Sequence, residues 1–249
     1  MSSEMLSTNG RLGGLVRYPL RILPRSMTVR ILRGELRGKK WIVGSQRNAF
    51  WLGLYEPYLQ KLIATEVKRG GTFFDVGANV GFYTLLAASL LAPERVFAFE
   101  PVPENVHFLK RHLDLNKIKN VEVLEVAISD EVGMCSFRLE QTRAMGRLDS
   151  GGSFQVRATT LDHLLQQGLI APPSYIKMDI EGAEYRALLG AKECLEKYRP
   201  KLFLATHGTQ VHDECCRLLR TLEFEIVPLN TPSDDRSEIY AFPSFRATP

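Results

Sequence analysis

The sequence predicts an α/β fold: a doubly wound sheet, mostly parallel, closed by a C-terminal antiparallel hairpin and preceded by a small N-terminal extension. Three observations predict it. From residue 70 onward, short apolar runs alternate with longer helical stretches, the pattern of βα units whose strands are covered on both faces. The first of these runs breaks into a glycine-containing turn, Asp75-Val-Gly-Ala-Asn-Val-Gly-Phe-Tyr-Thr84. Near the end, Glu223–Val227 and Ser237–Phe242 are joined by so short a turn that they must pair antiparallel.

Residues 1–69 form the extension. Thr28–Leu32 and Lys40–Val43 flank a Gly34–Gly38 turn and read as a small hairpin, and a helix from about Pro57 to Lys68 stops at Arg69-Gly70-Gly71. Residues 70–249 carry the sheet. Thr72–Val76 is short, aromatic and β-branched, which suits a buried strand, whereas Phe82–Ala92 is long and Leu/Ala-rich enough to be a helix. Strand 95–99, helix 103–116 and strand 121–126 follow. A polar insertion, Ser129–Arg157, is expected to hold a short hairpin, and Thr160 to cap a short helix. Tyr175–Asp179 then reads as strand, Ala183–Tyr198 as one helix, Lys201–Thr206 as strand and 210–221 as helix, before the late hairpin about Asn230–Asp235.

At 249 residues, 45% hydrophobic and 24% charged, the chain can bury a full core. No apolar segment approaches the ~20 residues that span a bilayer, and the opening residues lack the layout of a signal peptide, so a cytoplasmic location is expected. Cys135, Cys194, Cys215 and Cys216 lack paired spacing and are expected as free thiols. The net charge of +4 is uneven: between Arg11 and Lys40 there are nine Lys/Arg and a single acid, Glu35. Residues 11–40 read either as a solvated extension or as a peripheral contact with membrane phospholipid or an anionic carrier. Nucleic acid is disfavoured, because Pro19 and Pro24 break any long amphipathic helix and no aromatic-basic interleaving is present.

The glycine turn is a strand-to-helix cradle. Gly77 suits a positive φ or a close approach, and Gly81 a tight helix start whose amides face the crevice. A dinucleotide fingerprint would need glycine at the first, third and sixth positions; the chain has Gly77, Asn79 and Phe82. One βα unit on, Arg95-Val-Phe-Ala-Phe-Glu100-Pro101 is a strand ending in a carboxylate that can accept both ribose hydroxyls of a nucleoside. Lys177-Met-Asp-Ile-Glu-Gly-Ala-Glu184 sets three carboxylates where another strand opens into the crevice.

With Ala127-Ile-Ser-Asp130, these blocks resemble those of the FkbM-type S-adenosylmethionine-dependent methyltransferases over roughly residues 70–210. The resemblance implies a class I, Rossmann-like methyltransferase fold and an O-methyltransferase acting on a hydroxyl of a sugar, glycolipid or related secondary metabolite. It also implies that Gly77, Asn79 and Gly81 approach the methionine part of S-adenosylmethionine, Glu100 its ribose, and Ala127 with Ile128 its adenine. Asp75 either serves the cofactor ammonium and the loop amides or braces the loop without meeting ligand.

Methyl transfer to a hydroxyl needs alignment and usually a base. Asp179 ends one strand and His207 follows the next, so neighbouring strands bring both to the crevice, where His207 suits proton transfer near neutral pH. Lys177 shares the face of Asp179 and positions either that carboxylate or an acceptor oxygen. Alternatively, Asp179 caps a helix and His207 is a turn residue, or Asp179, Glu181 and His207 hold a divalent cation. Glu181 and Glu184 suit the first turn of a helix. His107, His112, His163 and His212 read as surface or packing residues, and Tyr55, Glu56 and Tyr83 as lining of the substrate mouth or as core. Rival functions are a nicotinamide-dependent oxidoreductase and a non-catalytic cofactor-binding protein. Acceptor choice falls to residues 1–70 and 129–160, which carry no interpretable motif.

Overall fold

The computed structural model describes residues 23–91, 94–139, 146–148, 154–230 and 236–244. The first half of the basic segment, including Pro19, and most of the turn that joins the late hairpin lie outside the described residues. The extension supplies strands β1 (Thr28–Arg30) and β2 (Lys40–Ile42), paired antiparallel as the turn glycines imply, then helices α1 (Ala49–Leu52) and α2 (Pro57–Glu66). The main body runs β3 (Phe73–Val76), α3 (Phe82–Leu91), β4 (Val96–Phe99), α4 (Pro103–Leu115), β5 (Val121–Leu124) and β6 (Ala127–Ile128). It continues with β7 (Gly133–Leu139), β8 (Gly146–Leu148), β9 (Phe154–Thr159), α5 (Leu161–Gln166), β10 (Tyr175–Met178), α6 (Glu184–Leu189), α7 (Lys192–Tyr198), β11 (Lys201–Thr206), α8 (Thr209–Thr221), β12 (Phe224–Pro228) and β13 (Ser237–Pro243). No helix among the described residues is long and apolar enough to cross a membrane.

The central sheet has seven strands in the order β12-β13-β11-β10-β3-β4-β5. Its five earlier strands are parallel, and β13 lies antiparallel between β11 and β12. Strand order reverses between β3 and β10, which makes a crevice at their carboxyl ends. Every residue of β3, β4 and β10 is buried, which is why these strands read as mostly apolar runs, interrupted by Asp75 and Lys177, rather than as alternating ones. Alternate residues then divide two cores. Phe74, Val76, Phe97, Ile176, Met178 and Leu204 pack with α5–α8 on one face; Phe73, Val96, Tyr175 and Phe203 pack with α2 and α3 on the other.

The second core also takes Ile31, Trp41, Phe50, Trp51, Leu59 and Ile63, so the extension and the sheet share apolar interior. A buried histidine ties them. His112 of α4 accepts the Ile42 amide on Nε2 (3.1 Å) and meets the Val80 carbonyl through Nδ1 (2.8 Å), which fixes the neutral tautomer with its proton on Nδ1. Its ring stacks on Trp41 with centroids 3.9 Å apart. Asn116, just beyond α4, completes the seam by exchanging two hydrogen bonds with the backbone of Lys40 (2.8 and 2.9 Å).

Two expectations change. The single helix over 183–198 is two, α6 and α7, broken at Gly190. A Cβ on Gly190 would sit 2.0 Å from the Ser129 carbonyl oxygen, and the Gly190 carbonyl accepts the Asp162 amide (3.0 Å). The Asp162 carboxylate then caps α7 by accepting the amides of Glu193 (2.9 Å) and Cys194 (2.7 Å). The cap comes from α5, so no local signal announces it. The insertion is likewise larger than a hairpin: β6-β9-β7-β8 form a four-stranded sheet in which β6 runs parallel to β9. The Thr160 cap forms as expected, accepting the His163 amide at 2.9 Å.

Burial pulls the His112 imidazole down to about 4. An unfolded imidazole titrates near 6.5, so below that pH the unfolded chain binds the extra proton first. The contribution of His112 to stability is complete above about pH 6.5 and falls by about 3 kcal/mol as pH drops to about 4. Urea unfolding measured across this range is expected to show that slope, and the His112→Ala protein to lack it while losing about 2–4 kcal/mol at pH 7.5.

Candidate active site

Strand register assembles the site. Val76 pairs with both Met178 and Phe99, so Gly77, Asp179 and Glu100, each one residue past its strand, arrive together at the switch point. Met178 pairs with Leu204, and β11 runs two residues further, which carries His207 above Asp179. Thr206 pairs with Ser237, which sets Arg236 beside them. A cleft with about 1090 Å³ of open space, mouth included, lies over these strand ends.

One end of the cleft is the glycine turn. Gly77 has φ +79°, and a Cβ there would lie 2.1 Å from the Asp179 carbonyl oxygen. Asn79 adopts the left-handed region at φ 50°, which asparagine tolerates better than most residues. Its side-chain oxygen accepts the Val80 amide (2.8 Å) and the Gln46 side chain (3.1 Å). Glu100 is buried, and its carboxylate accepts the amides of Asn79 (2.8 Å) and Val102 (2.9 Å) and the Asn105 side chain (3.2 Å). Burial nevertheless holds its pKa above the usual carboxylate range. Phe99, Val126, Ala127 and Ile128 make the apolar wall beside it.

The other end is a network of charges. Thr84 donates to Asp75 (2.5 Å), whose other oxygen lies 4.0 Å from the Lys177 ammonium. Lys177 lies 3.7 Å from Asp179 and 5.1 Å above the Tyr83 ring. Arg236 reaches Asp179 (3.3 Å), Glu238 (3.0 Å) and Glu56 (2.7 Å), and Glu56 accepts the Tyr83 hydroxyl (2.5 Å). Burial pushes Asp179 up, but Lys177, Arg236 and His207 together hold it below the ordinary aspartate value. Asp75 goes the other way, since burial outweighs Lys177 and Thr84.

His207 stands over this network. Glu184, fully buried in the first turn of α6, accepts the amides of Ile180 (3.2 Å) and Gly182 (3.1 Å) and faces His207 Nδ1 at 3.0 Å. A carboxylate there requires the proton on Nδ1, which leaves Nε2 as the acceptor. Nε2 lies 3.7 Å from Asp179 and 3.4 Å from Glu181. Burial pulls the imidazole down, yet Glu184, Asp179 and Glu181 hold it above its ordinary value. Donor atoms of Asp179, Glu181 and His207 lie within 4.8 Å of one another, a spacing that a single cation can bridge.

Of the residues singled out in the sequence, Gly77, Asn79, Glu100, Ala127, Ile128, Lys177, Asp179 and Glu181 line the cleft, as do Tyr55 and Tyr83. Gly81 lies beneath it, where a Cβ would be 2.9 Å from Leu109 of α4. Asp75 also lies beneath, bonded to Thr84 rather than to the loop amides. His207 is not a lining residue but touches Asp179 and Glu181, which are, and His112 and His212 are spent on packing and on Thr206 (2.9 Å). Gln46, Arg47, Phe50 and Arg236 also line the cleft and were not singled out. The first three come from the extension across a sequence gap of about thirty residues, and Arg236 becomes visible only once β13 is known to pair with β11.

A switch-point sheet closed by an inserted antiparallel strand, with a glycine turn and a strand-end acid facing one cleft, defines a Rossmann-like class I methyltransferase. Residues 75–226 match the Methyltransferase FkbM domain, and the chain belongs to the FkbM methyltransferase family. It is 27% identical over 177 residues to the hexuronic acid methyltransferase AglP of Haloferax volcanii, covering 70% of this chain and 72% of that one. It is 25% identical over 215 residues to the 31-O-demethyl-FK506 methyltransferase FkbM of Streptomyces tacrolimicus, covering 70% and 80%. Among solved structures it resembles the FkbM methyltransferase of Methylobacillus flagellatus KT, with TM-score 0.50 and 22% identity over 69% of this chain and 43% of that chain. The precorrin-6y C5,15-methyltransferase of Geobacter metallireducens GS-15 gives TM-score 0.50 at 11% identity over 76% and 90%. At these identities the two structures speak to the fold.

Gly77→Ala is expected to destabilise the protein by about 2–4 kcal/mol, because a left-handed backbone and a backbone collision coincide at that position. Thermal unfolding compared with that of Gly70→Ala, whose Cβ would meet nothing within 4 Å, isolates the collision.

Proposed function

We propose that the protein is an S-adenosylmethionine-dependent O-methyltransferase whose acceptor is a hydroxyl of a sugar, glycolipid or related metabolite. The observation that carries this reading is the pair of contacts made by His207: Glu184 occupies Nδ1, so in the neutral ring Nε2, 3.4 Å from the cleft-lining Glu181, is left to accept a proton. The O-directed choice draws on the 31-O-demethyl-FK506 methyltransferase, and the sugar class on the hexuronic acid methyltransferase.

When bound, the cofactor supplies an electrophilic methyl on a sulfonium. Gly77 and Asn79 are assigned to its methionine end, with Gly81 beneath them setting the start of α3 against α4, Glu100 to its ribose, and Ala127 with Ile128 to its adenine. The donor set fits such a ligand: Glu100 is already oriented by three donors and keeps acceptor capacity. Among the lining residues three carboxylates, Glu100, Asp179 and Glu181, are matched by three permanent cations, Arg47, Lys177 and Arg236. His207 then takes the acceptor proton, Asp179 and Glu181 stabilise the imidazolium, and Lys177 fixes Asp179. A second reading rests on the convergence of Asp179, Glu181 and His207, which would let a divalent cation acidify the hydroxyl instead. Turnover that survives exhaustive EDTA treatment excludes that reading.

Calorimetry is expected to detect binding of S-adenosylmethionine and S-adenosylhomocysteine; absence of both sinks the proposal. His207→Ala should lower turnover by about 10²–10⁴-fold, the usual worth of a general base, with cofactor affinity nearly intact. The same base sets a pH dependence. His207 is held above its ordinary value and must be neutral to accept a proton, so kcat/KM should rise with pH along a limb centred above about 6.5. Glu184→Gln removes the charge that raises this group and should move the limb to lower pH.

A further inference from the structure

Three candidates stand outside the methyl-transfer reading: the exposed apolar residues of the four-stranded sheet, the edge strand β12, and the basic, partly apolar face of the extension. On the third of these, charge and exposed hydrophobic surface coincide.

Residues 23–47 hold seven Lys/Arg and one acid, a net +6, whereas the rest of the chain sums to −2. The described part of this face is therefore cationic on a molecule that is otherwise slightly acidic. Four of the nine exposed large hydrophobics among the described residues fall between 27 and 58: Met27, Leu32, Leu54 and Tyr58. Leu32, Leu54 and Tyr58 are 54%, 52% and 62% exposed, on a chain that buries Ile31, Leu36, Leu59 and Ile63 close by. Backbone contacts bring their segments together. The Leu32 amide donates to the Trp51 carbonyl (2.9 Å), Gly53 has no room for a Cβ beside the Arg33 carbonyl, and the Glu35 amide donates to Gln60 (3.2 Å). Arg30 at the end of β1 and Arg33 and Arg37 in the turn that follows are exposed.

A solvated extension explains the arginines and leaves the leucines unexplained. A nucleic-acid surface would set aromatic rings among the cations for stacking, but the exposed apolar groups here are chiefly aliphatic. We propose that this face docks on a bilayer carrying anionic phospholipid, with Leu32 and Leu54 entering the interface, Tyr58 at headgroup level and the arginines against lipid phosphates. Gln46, Arg47, Phe50 and Tyr55 of the same extension line the cleft, so docking sets the cleft beside the membrane, where a glycolipid acceptor would be found.

Co-sedimentation of the full chain with phosphatidylcholine vesicles, with and without phosphatidylglycerol, tests the surface apart from any methyl transfer. Binding is expected only to the anionic vesicles and to weaken with salt. It should fall by about tenfold or more in Arg33→Glu/Arg37→Glu, and separately in Leu32→Ser/Leu54→Ser, with both variants shown folded by circular dichroism. No binding to anionic vesicles, equal binding by folded variants, or tighter binding to duplex DNA or RNA than to the vesicles overturns the proposal.

Discussion

The backbone of Gly77 runs so close to the Asp179 carbonyl that no side chain fits between them, and the rest of the cleft depends on that contact. It occurs where strand order reverses, between two parallel strands held in register by Val76 and Met178. With β3 and β10 locked at this separation, the turn after β3 must pass through a left-handed glycine and a left-handed asparagine before α3 begins. The Asn79 amide is thereby aimed at Glu100 and its side chain at Gln46. The turn after β10 is constrained in the same way: Glu181 and Gly182 both take positive φ, which folds the backbone amides of Ile180 and Gly182 onto Glu184.

The charges beyond this contact form a closed ring rather than a row of independent pairs. Thr84, Asp75, Lys177, Asp179, Arg236, Glu56 and Tyr83 hand contact from α3 through β3 and β10 to the start of β13 and back through the extension. Buried ion pairs return little net stability because desolvation offsets their attraction. Their value here lies in orientation, since Asp179 offers one oxygen to two cations and keeps the other toward His207. A histidine flanked by three carboxylates holds its proton more tightly than one in water, and Lys177 and Arg236 moderate that pull by neutralising Asp179.

Much of this was legible in sequence, for local reasons. Phe73-Phe74-Asp75-Val76 and Tyr175-Ile-Lys-Met178 are buried on both faces and therefore read as apolar runs, so the sheet and its switch point could be placed. Gly77, Glu100 and Asp179 end their strands, so one inference located all three. Illegible features depend on partners distant in the chain. The break at Gly190 follows from the Ser129 carbonyl and from a cap lent by Asp162, neither of which leaves a mark near residue 190. Arg236 needed the β11–β13 register. Glu184 read as a residue complementing a helix terminus, and only the fold discloses that its carboxylate faces His207.

The pairing of His112 with Ile42 and Val80 has a consequence for what counts as a unit in this chain. The region that matches the family begins at residue 75, yet the core above β3 is filled from residues 31–67, and one imidazole hydrogen-bonds the extension and the glycine turn at once. Sequence recognition and cooperative folding therefore have different borders. A piece trimmed to the recognisable region would keep Asp179 and His207 but lose Glu56 and Arg236 from the ring around them, together with the apolar surface that the extension supplies to the core.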